Sequence, residues 1–136
     1  MRKYIFIIVT ICFLFVLMIC NKNDTKIMTS GIYKMKLSQE QQNSEKVAPT
    51  ISIDTKQKSF IFCYDALSYY MNIGIYKIND NILTCTTSDD KYHYIFEMID
   101  ENTLCFLEEQ SSKITIFDTT FGVVPQNGAI FEKIEK

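Results

Sequence analysis

Apolar and polar residues alternate along the chain from Gly31 onward. The alternation has a period of two, and clusters of Asn, Asp, Ser and Lys interrupt it about every ten residues. This spacing is typical of antiparallel strands joined by short turns in a meander, sandwich or barrel. Nine segments fit the pattern: 31–37, 50–54, 59–64, 74–79, 82–88, 91–99, 103–107, 112–117 and 129–133. We therefore predict a mainly β protein, a small antiparallel meander barrel of about eight strands, in which the polar residues 38–46 form a loop.

The turns between the central strands assign one set of side chains to a common face. Two-residue turns at residues 80–81 and 89–90 and a three-residue turn at residues 100–102 fix how the neighbouring strands align. These alignments place Leu83 opposite Phe96. The predicted core face comprises Ile51, Ile53, Phe60, Phe62, Tyr64, Tyr76, Ile78, Leu83, Cys85, Tyr92, Tyr94, Phe96, Met98, Leu104 and Phe106.

The opposite face of these strands is mixed in character. It includes Ile61, Ile75 and Ile95 among polar side chains, which is more apolar surface than a solvated sheet face usually has. Residues 65–71 and residues 118–128 are the candidates within the chain to cover this face. A partner protein is the third candidate.

The first twenty residues have the pattern of a secretory signal. Arg2 and Lys3 precede an uncharged run from residue 4 to residue 20. The run ends in the sequence LMIC, which resembles a bacterial lipobox, in which the cysteine, here Cys20, is acylated and becomes the first residue of the mature protein. Ile19 departs from that motif, because the position before the cysteine normally holds Gly, Ala or Ser.

Three interpretations of this segment stay open: a lipoprotein signal peptide, an uncleaved membrane anchor, or the signal of a freely secreted protein. As an anchor, a 17-residue helix would extend about 25 Å, a little short of the ~30 Å hydrocarbon core of a bilayer. We therefore expect residues 1–20 to direct export, residues 21–30 to form a polar tether, and residues 31–136 to form the β-barrel domain. With either the lipid or the anchor, the domain would lie on the extracytoplasmic face of the cell membrane.

Charge and chemistry narrow the function classes. The chain has 14 Lys and Arg against 16 Asp and Glu, and it has no basic cluster, which argues against binding to nucleic acid. The single histidine, His93, is predicted to point away from the core face, and the acidic pairs at residues 89–90, 100–101 and 108–109 fit turns and solvated positions. No nucleophile, base and oxyanion donors converge in the sequence, so we expect no enzyme, no metal and no cofactor.

Three cysteines follow the leader, an odd number for an exported protein. The predicted alignment places Cys85 on the core face and Cys63 and Cys105 on the other. Nothing makes the strands of Cys63 and Cys105 neighbours, so we expect three free thiols that behave as small apolar side chains.

Several segments carry a family resemblance. Residues 60–70 (FIFCYDALSYY), 74–76 (GIY), 89–96 (DDKYHYIF), 111–112 (SS) and 124–131 (VPQNGAIF) resemble small exported proteins of clostridia and their relatives. They are also similar to the extracytoplasmic module appended to some membrane metallopeptidases of the β-lactam-sensor type. The resemblance spans roughly residues 31–132 and implies a lipocalin-like small barrel with no established activity. The metallopeptidase motif His-Glu-x-x-His is absent from this sequence.

These observations favour a non-enzymatic, membrane-tethered binding module. Its partner would be a small apolar ligand or a neighbouring envelope protein. A ligand would be expected near Gly74, Thr87 and Tyr92, because Tyr92 lies near the end of a predicted strand. A structural barrel without any ligand is the alternative, and an unrecognised enzyme is the last.

Overall fold

The computed structural model describes residues 26–65 and 72–134, and these form a closed barrel of eight antiparallel strands. Each strand pairs with the next along the chain, and β8 pairs with β1 to close the barrel. The strands are β1 (Gly31–Met35), β2 (Thr50–Asp54), β3 (Ser59–Cys63), β4 (Asn72–Asn79), β5 (Ile82–Thr87), β6 (His93–Asp100), β7 (Thr103–Phe106) and β8 (Ile130–Lys133). The predicted meander barrel is thus confirmed. We call the end at which β1 begins the lower end and the opposite end the upper end.

The predicted strand alignments are confirmed in the central strands. Leu83 lies opposite Phe96, and Met98 lies opposite Leu104. The period-two alternation therefore sends the same side chains inward on every strand, because a pairing error of one residue would turn them all outward. Two members of the predicted core face are exposed instead. Ile78 has inward parity but lies beside the turn at the lower end, and Tyr92 lies in the loop before β6.

Three local predictions are wrong. Residues 38–46 include a short helix, α1 (Gln39–Asn43), because Ser38 and Gln41 form a reciprocal capping box, with the Gln41 amide donating to Ser38 Oγ at 3.2 Å. The turn at 89–90 is wider, since Thr87 pairs with Tyr92 around a four-residue loop. The turn at 100–102 is tighter, since Asp100 already pairs with Thr103 after a bulge that follows Met98.

Residues 112–117, predicted as a ninth strand, form no strand. Ser111 Oγ accepts a hydrogen bond from the Ile95 amide at 2.9 Å, and Ser112 Oγ accepts one from the His93 amide at 2.8 Å. These hydroxyls bind two backbone amides at the edge of β6. In a regular sheet the carbonyls of a neighbouring strand would accept those hydrogen bonds. The chain then turns over the upper end, where Ile114 is buried.

The interior of the barrel is filled by apolar side chains. Phe62 is at its centre, with its ring centroid 5.0–6.1 Å from those of five other rings, in edge-on or tilted geometry. Those rings belong to Tyr64, Tyr94, Phe96, Phe106 and Phe131. Above and below them the interior is completed by Tyr33, Ile51, Leu83, Met98 and Leu104, all fully buried.

The upper end is closed by the connection between β7 and β8. Ile114 and Val123 are buried against the core, and two carboxylates shape the segment that holds them. Asp65 accepts a hydrogen bond from the Phe117 amide, and Asp118 Oδ1 accepts bonds from the amides of residues 120 and 121. Residues 118–128 therefore cover the upper end of the barrel and leave its outer face open, while residues 66–71 lie outside the described part of the chain.

The lower end is closed by residues 26–30, which the sequence assigned to the tether. Met28 is buried against the core, and the Tyr33 hydroxyl donates to the carbonyl of Thr29 at 2.8 Å. Lys26 Nζ donates to the carbonyl of Met98 at 2.9 Å. The part of the chain that packs on the barrel thus begins before Gly31.

Truncation of a central ring tests whether the interior is a packed core. Phe96→Ala should lower the free energy of unfolding by about 3 to 5 kcal/mol, because it removes the side chain and leaves a cavity among close-packed rings. Tyr92→Ala, at a position 39% exposed, should cost about 1 kcal/mol or less. Urea unfolding of the two variants measures both values. Small and nearly equal losses would contradict a filled barrel.

Candidate functional site

The three predicted ligand-facing residues lie together at the upper end of β4, β5 and β6. Gly74 and Thr87 are direct cross-strand partners, and a Cβ atom at Gly74 would lie 1.9 Å from the carbonyl oxygen of Thr86. Thr87 Oγ1 donates to Asp89 Oδ1 at 2.7 Å and accepts from the Tyr92 amide at 3.1 Å. Gly74 thus permits a close approach of two backbones, and Thr87 holds the loop that follows it. That Gly74, Thr87 and Tyr92 bind a ligand stays a prediction.

The buried polar groups near these residues pair with one another. Tyr94 donates its hydroxyl hydrogen to Asn72 Oδ1 at 3.0 Å, and the hydroxyl oxygens of Tyr94 and Tyr64 are 3.3 Å apart. Among the described residues, every buried side-chain nitrogen and oxygen has a hydrogen-bond partner. The interior therefore presents no unmet polar group that would orient a ligand.

The reactive side chains do not form a catalytic set in the described residues. His93 is exposed on the outer face, where its Nδ1 lies 3.3 Å from Thr86 Oγ1. One carboxylate of each acidic pair accepts a hydrogen bond from a backbone amide: Asp89 from Lys91, Asp100 from Asn102 and Glu108 from Asn127. No group of three or more His, Cys, Asp or Glu side chains in the described ranges is arranged to hold a metal ion.

The thiols lie on the predicted faces, but only Cys85 is buried as a small apolar core side chain would be. Cys85 is fully buried inside the barrel, and Cys63 and Cys105 are half-buried with outward parity on strands that are not neighbours. Burial raises the pKa of the Cys85 thiol far above its ordinary value, which keeps the group protonated and unreactive. Burial, and secondarily the charge of Glu97 across the strand pair, raise the pKa of Cys105. Cys20 lies outside the described residues.

Four isoleucines form an exposed apolar surface on the outside of the barrel, which we call the isoleucine patch: Ile32, Ile61, Ile73 and Ile75. Ser52 pairs with both Ile32 and Ile61, and Ile61 pairs with Ile73, so a single row crosses β1 to β4. Adjacent strands are about 4.8 Å apart, so the row extends about 14 Å. Ile75, next along the outer face of β4, is 58% exposed.

The outward positions around the isoleucine patch include charged side chains. By strand alternation, the outward positions of β1 to β4, the strands that hold the patch, include Lys34, Asp54 and Lys77. Glu97 and Glu132 point outward from the remaining strands. The exposure of the four isoleucines, rather than a lack of charge, therefore distinguishes this surface.

A groove of about 730 Å³ continues this surface towards the lower end. Ile32 and Ile134 form apolar parts of its wall, and Asp54, Lys56 and Lys133 border it. The groove is at the opposite end of the barrel from Gly74, Thr87 and Tyr92. The groove and the isoleucine patch are therefore on the same side of the molecule.

Sequence reasoning found half of the isoleucine patch. Ile61 and Ile75 were predicted on the outer face, but Ile73 was missed because the predicted strand began at residue 74, whereas β4 begins at Asn72. Extending the alternation backwards from Ile75 would have included it. Ile32 was missed because the first strand was not assigned a face, although the burial of Tyr33 leaves Ile32 outward.

Comparison with known proteins adds no assignment: no protein family model, curated protein or solved structure matches the chain. In the described part of the chain, no helix is long and apolar enough to cross a bilayer.

Alkylation of the thiols tests their placement. In the folded protein Cys63 and Cys105 should react with iodoacetamide, whereas Cys85 should react only after unfolding, because it is buried and protonated. Because the pKa of Cys105 is raised, its alkylation should accelerate as the pH rises from 7 to 9, whereas Cys85 should stay unmodified. Peptide mass spectrometry before and after denaturation measures each site. A Cys63–Cys105 disulfide, or rapid native alkylation of Cys85, would contradict the strand arrangement.

Proposed function

We propose that this chain is a non-enzymatic module that is tethered by its N-terminal segment to the extracytoplasmic face of a membrane and binds a neighbouring envelope protein. The single observation on which this choice rests is the filled barrel, in which Phe62 contacts five other rings and both ends are closed. A barrel that binds a small ligand needs an internal cavity open at one end. A filled barrel has only its outer surface to offer to a partner.

The isoleucine patch is the surface that best fits such a partner. Its side chains stay exposed, and a groove of about 730 Å³ adjoins it. Exposed isoleucines on rigid strands lose little conformational freedom on binding, so their burial contributes most of the transfer free energy to affinity. The closed hydrogen-bonded barrel also leaves no free strand edge, which rules out strand addition as the mode of binding.

The tether follows from the first twenty residues, which lie outside the described structure. A basic start, an apolar run and a lipobox-like end support export and anchoring, and the similarity of residues 31–132 to exported clostridial proteins is consistent with them. Acylation at Cys20 would place the barrel close to the membrane, where integral envelope proteins are the abundant neighbours. The structural alternative, a barrel without a partner, has no specific observation in its favour.

Replacement of the acylation site tests the tether. Cys20→Ser should abolish incorporation of radiolabelled palmitate and either release the mature domain or leave an unprocessed precursor, because each buried methylene adds about 0.8 kcal/mol to membrane affinity. Fractionation and gel mobility of the variant and the wild type measure both effects. Absence of label on the wild type would reject acylation, and identical full-length membrane protein in both cases would establish an uncleaved anchor.

Site-specific photocrosslinking in intact cells tests the partner surface. A benzophenone amino acid at position 75 should give one discrete adduct, whereas the same probe at position 132, outward on β8 and far from β4, should not. With the probe kept at position 75, Ile73→Asp should reduce the adduct by about tenfold or more, because it places a charge in an apolar contact. Glu132→Ala is the matched control and should leave the adduct unchanged. Equal labelling from both positions, or none from either, would contradict a specific partner at the patch.

A further inference from the structure

The segment that precedes β1 crosses the lower end of the barrel. Lys26 Nζ donates a hydrogen bond to the carbonyl of Met98. Thr29 Oγ1 donates to the carbonyl of Glu101 at 3.1 Å, and Ser30 Oγ lies 2.6 Å from Thr55 Oγ1. These contacts join the first described residues to the β6–β7 and β2–β3 turns. Lys26, the first described residue, therefore lies at the lower end of the barrel.

Exposed isoleucines lie around Lys26 at the lower end. Ile27, beside Lys26, is 73% exposed, second among the exposed large apolar side chains only to Phe117 of the upper end, which is 80% exposed. Ile99 protrudes from the bulge of β6, next to the carbonyl that Lys26 binds, and Ile78 protrudes beside the β4–β5 turn. None of these three is part of the isoleucine patch. Peripheral proteins bind membranes by burying exposed apolar side chains at the boundary between lipid headgroups and acyl chains.

The two ends of the barrel differ in charge. Apart from Lys34, Lys77, Glu97 and Glu132 on the wall of the barrel, four lysines (Lys26, Lys56, Lys58 and Lys133) balance four carboxylates (Asp54, Asp80, Asp100 and Glu101) at the lower end. The described residues at the upper end have four lysines and eight carboxylates. An anionic lipid surface would repel the upper end and would not repel the lower end.

The connecting chain is short. Only residues 21–25 separate Cys20 from Lys26, and five extended residues span at most about 18 Å. If Cys20 is acylated or ends an anchor, the lower end cannot move far from the lipid headgroups. The tether thus holds the lower end against the bilayer. This end has exposed isoleucines and no excess of negative charge.

We propose that the lower end of the barrel is a membrane-contact surface, with Ile27 and Ile99 inserted among the lipid headgroups and the barrel standing on the bilayer. This inference rests on the tether of the proposed function. It also orients the isoleucine patch, because that patch lies on the wall of the barrel. With the barrel upright, the patch faces sideways along the membrane, towards a neighbouring integral protein.

Tryptophan fluorescence offers a direct test, because the chain has no tryptophan of its own. Ile27→Trp and Ile99→Trp place one fluorophore each at the lower end, and Phe121→Trp places a matched one at an exposed position of the upper end. The full chain with its N-terminal segment is reconstituted in vesicles of phosphatidylcholine and phosphatidylglycerol with brominated acyl chains. Both lower variants should be quenched several-fold more strongly than Phe121→Trp, and their emission should shift to the blue.

The outcomes separate the two proposals. Flotation of the chain with vesicles, combined with equal weak quenching at all three positions, would overturn the membrane-contact surface and leave the tether intact. Stronger quenching of Phe121→Trp would reverse the orientation and overturn it as well. Failure of the wild-type full chain to float would reject the tether and the contact surface together. Far-ultraviolet circular dichroism of each variant confirms that the barrel is intact before quenching is compared.

Discussion

The packing of aromatic rings around Phe62 is the constraint on which the rest of the structure depends. Six rings from β3, β6, β7, β8 and the residue after β3 meet inside a barrel of eight short strands. An eight-stranded barrel encloses just enough space for side chains, so large rings at its centre leave none for a ligand. The ring cluster therefore fixes the strand alignments and also moves any binding activity to the outer surface.

The sequence predicted the inside of the molecule better than its ends. Strand alternation and turn residues determine the alignment of Leu83 with Phe96, since a slip of one residue would expose the whole apolar face. The upper end depends on other interactions. Ser111, Ser112 and Asp65 bind backbone amides of distant segments, and such contacts leave no periodic signal in the sequence. The sequence of residues 112–117 therefore has the alternation of a strand, although these residues turn over the upper end of the barrel.

The candidate site was predictable only in part for a related reason. A ligand site near Gly74 and Thr87 followed from their positions near strand ends, but Gly74 is adjacent to the backbone of Thr86 and Thr87 holds a loop. The isoleucine patch depends on which outward side chains the loops leave exposed. Alternation identifies the outward set, but the exposure of each member depends on connections that the pattern does not encode. Ile95 has outward parity and is nevertheless buried.

Closure of the barrel by β1 and β8 has a consequence for how the chain acquires its structure. Tyr33 pairs with Lys133, so the closing contact joins residues 100 positions apart. Contacts of such large sequence separation form late, because the loop entropy must be overcome before they contribute. A chain synthesised from its N-terminus has no complete barrel until β8 is available. Until then β1 has a free edge and the aromatic interior is open, so folding of the barrel is complete only after β8 has been made.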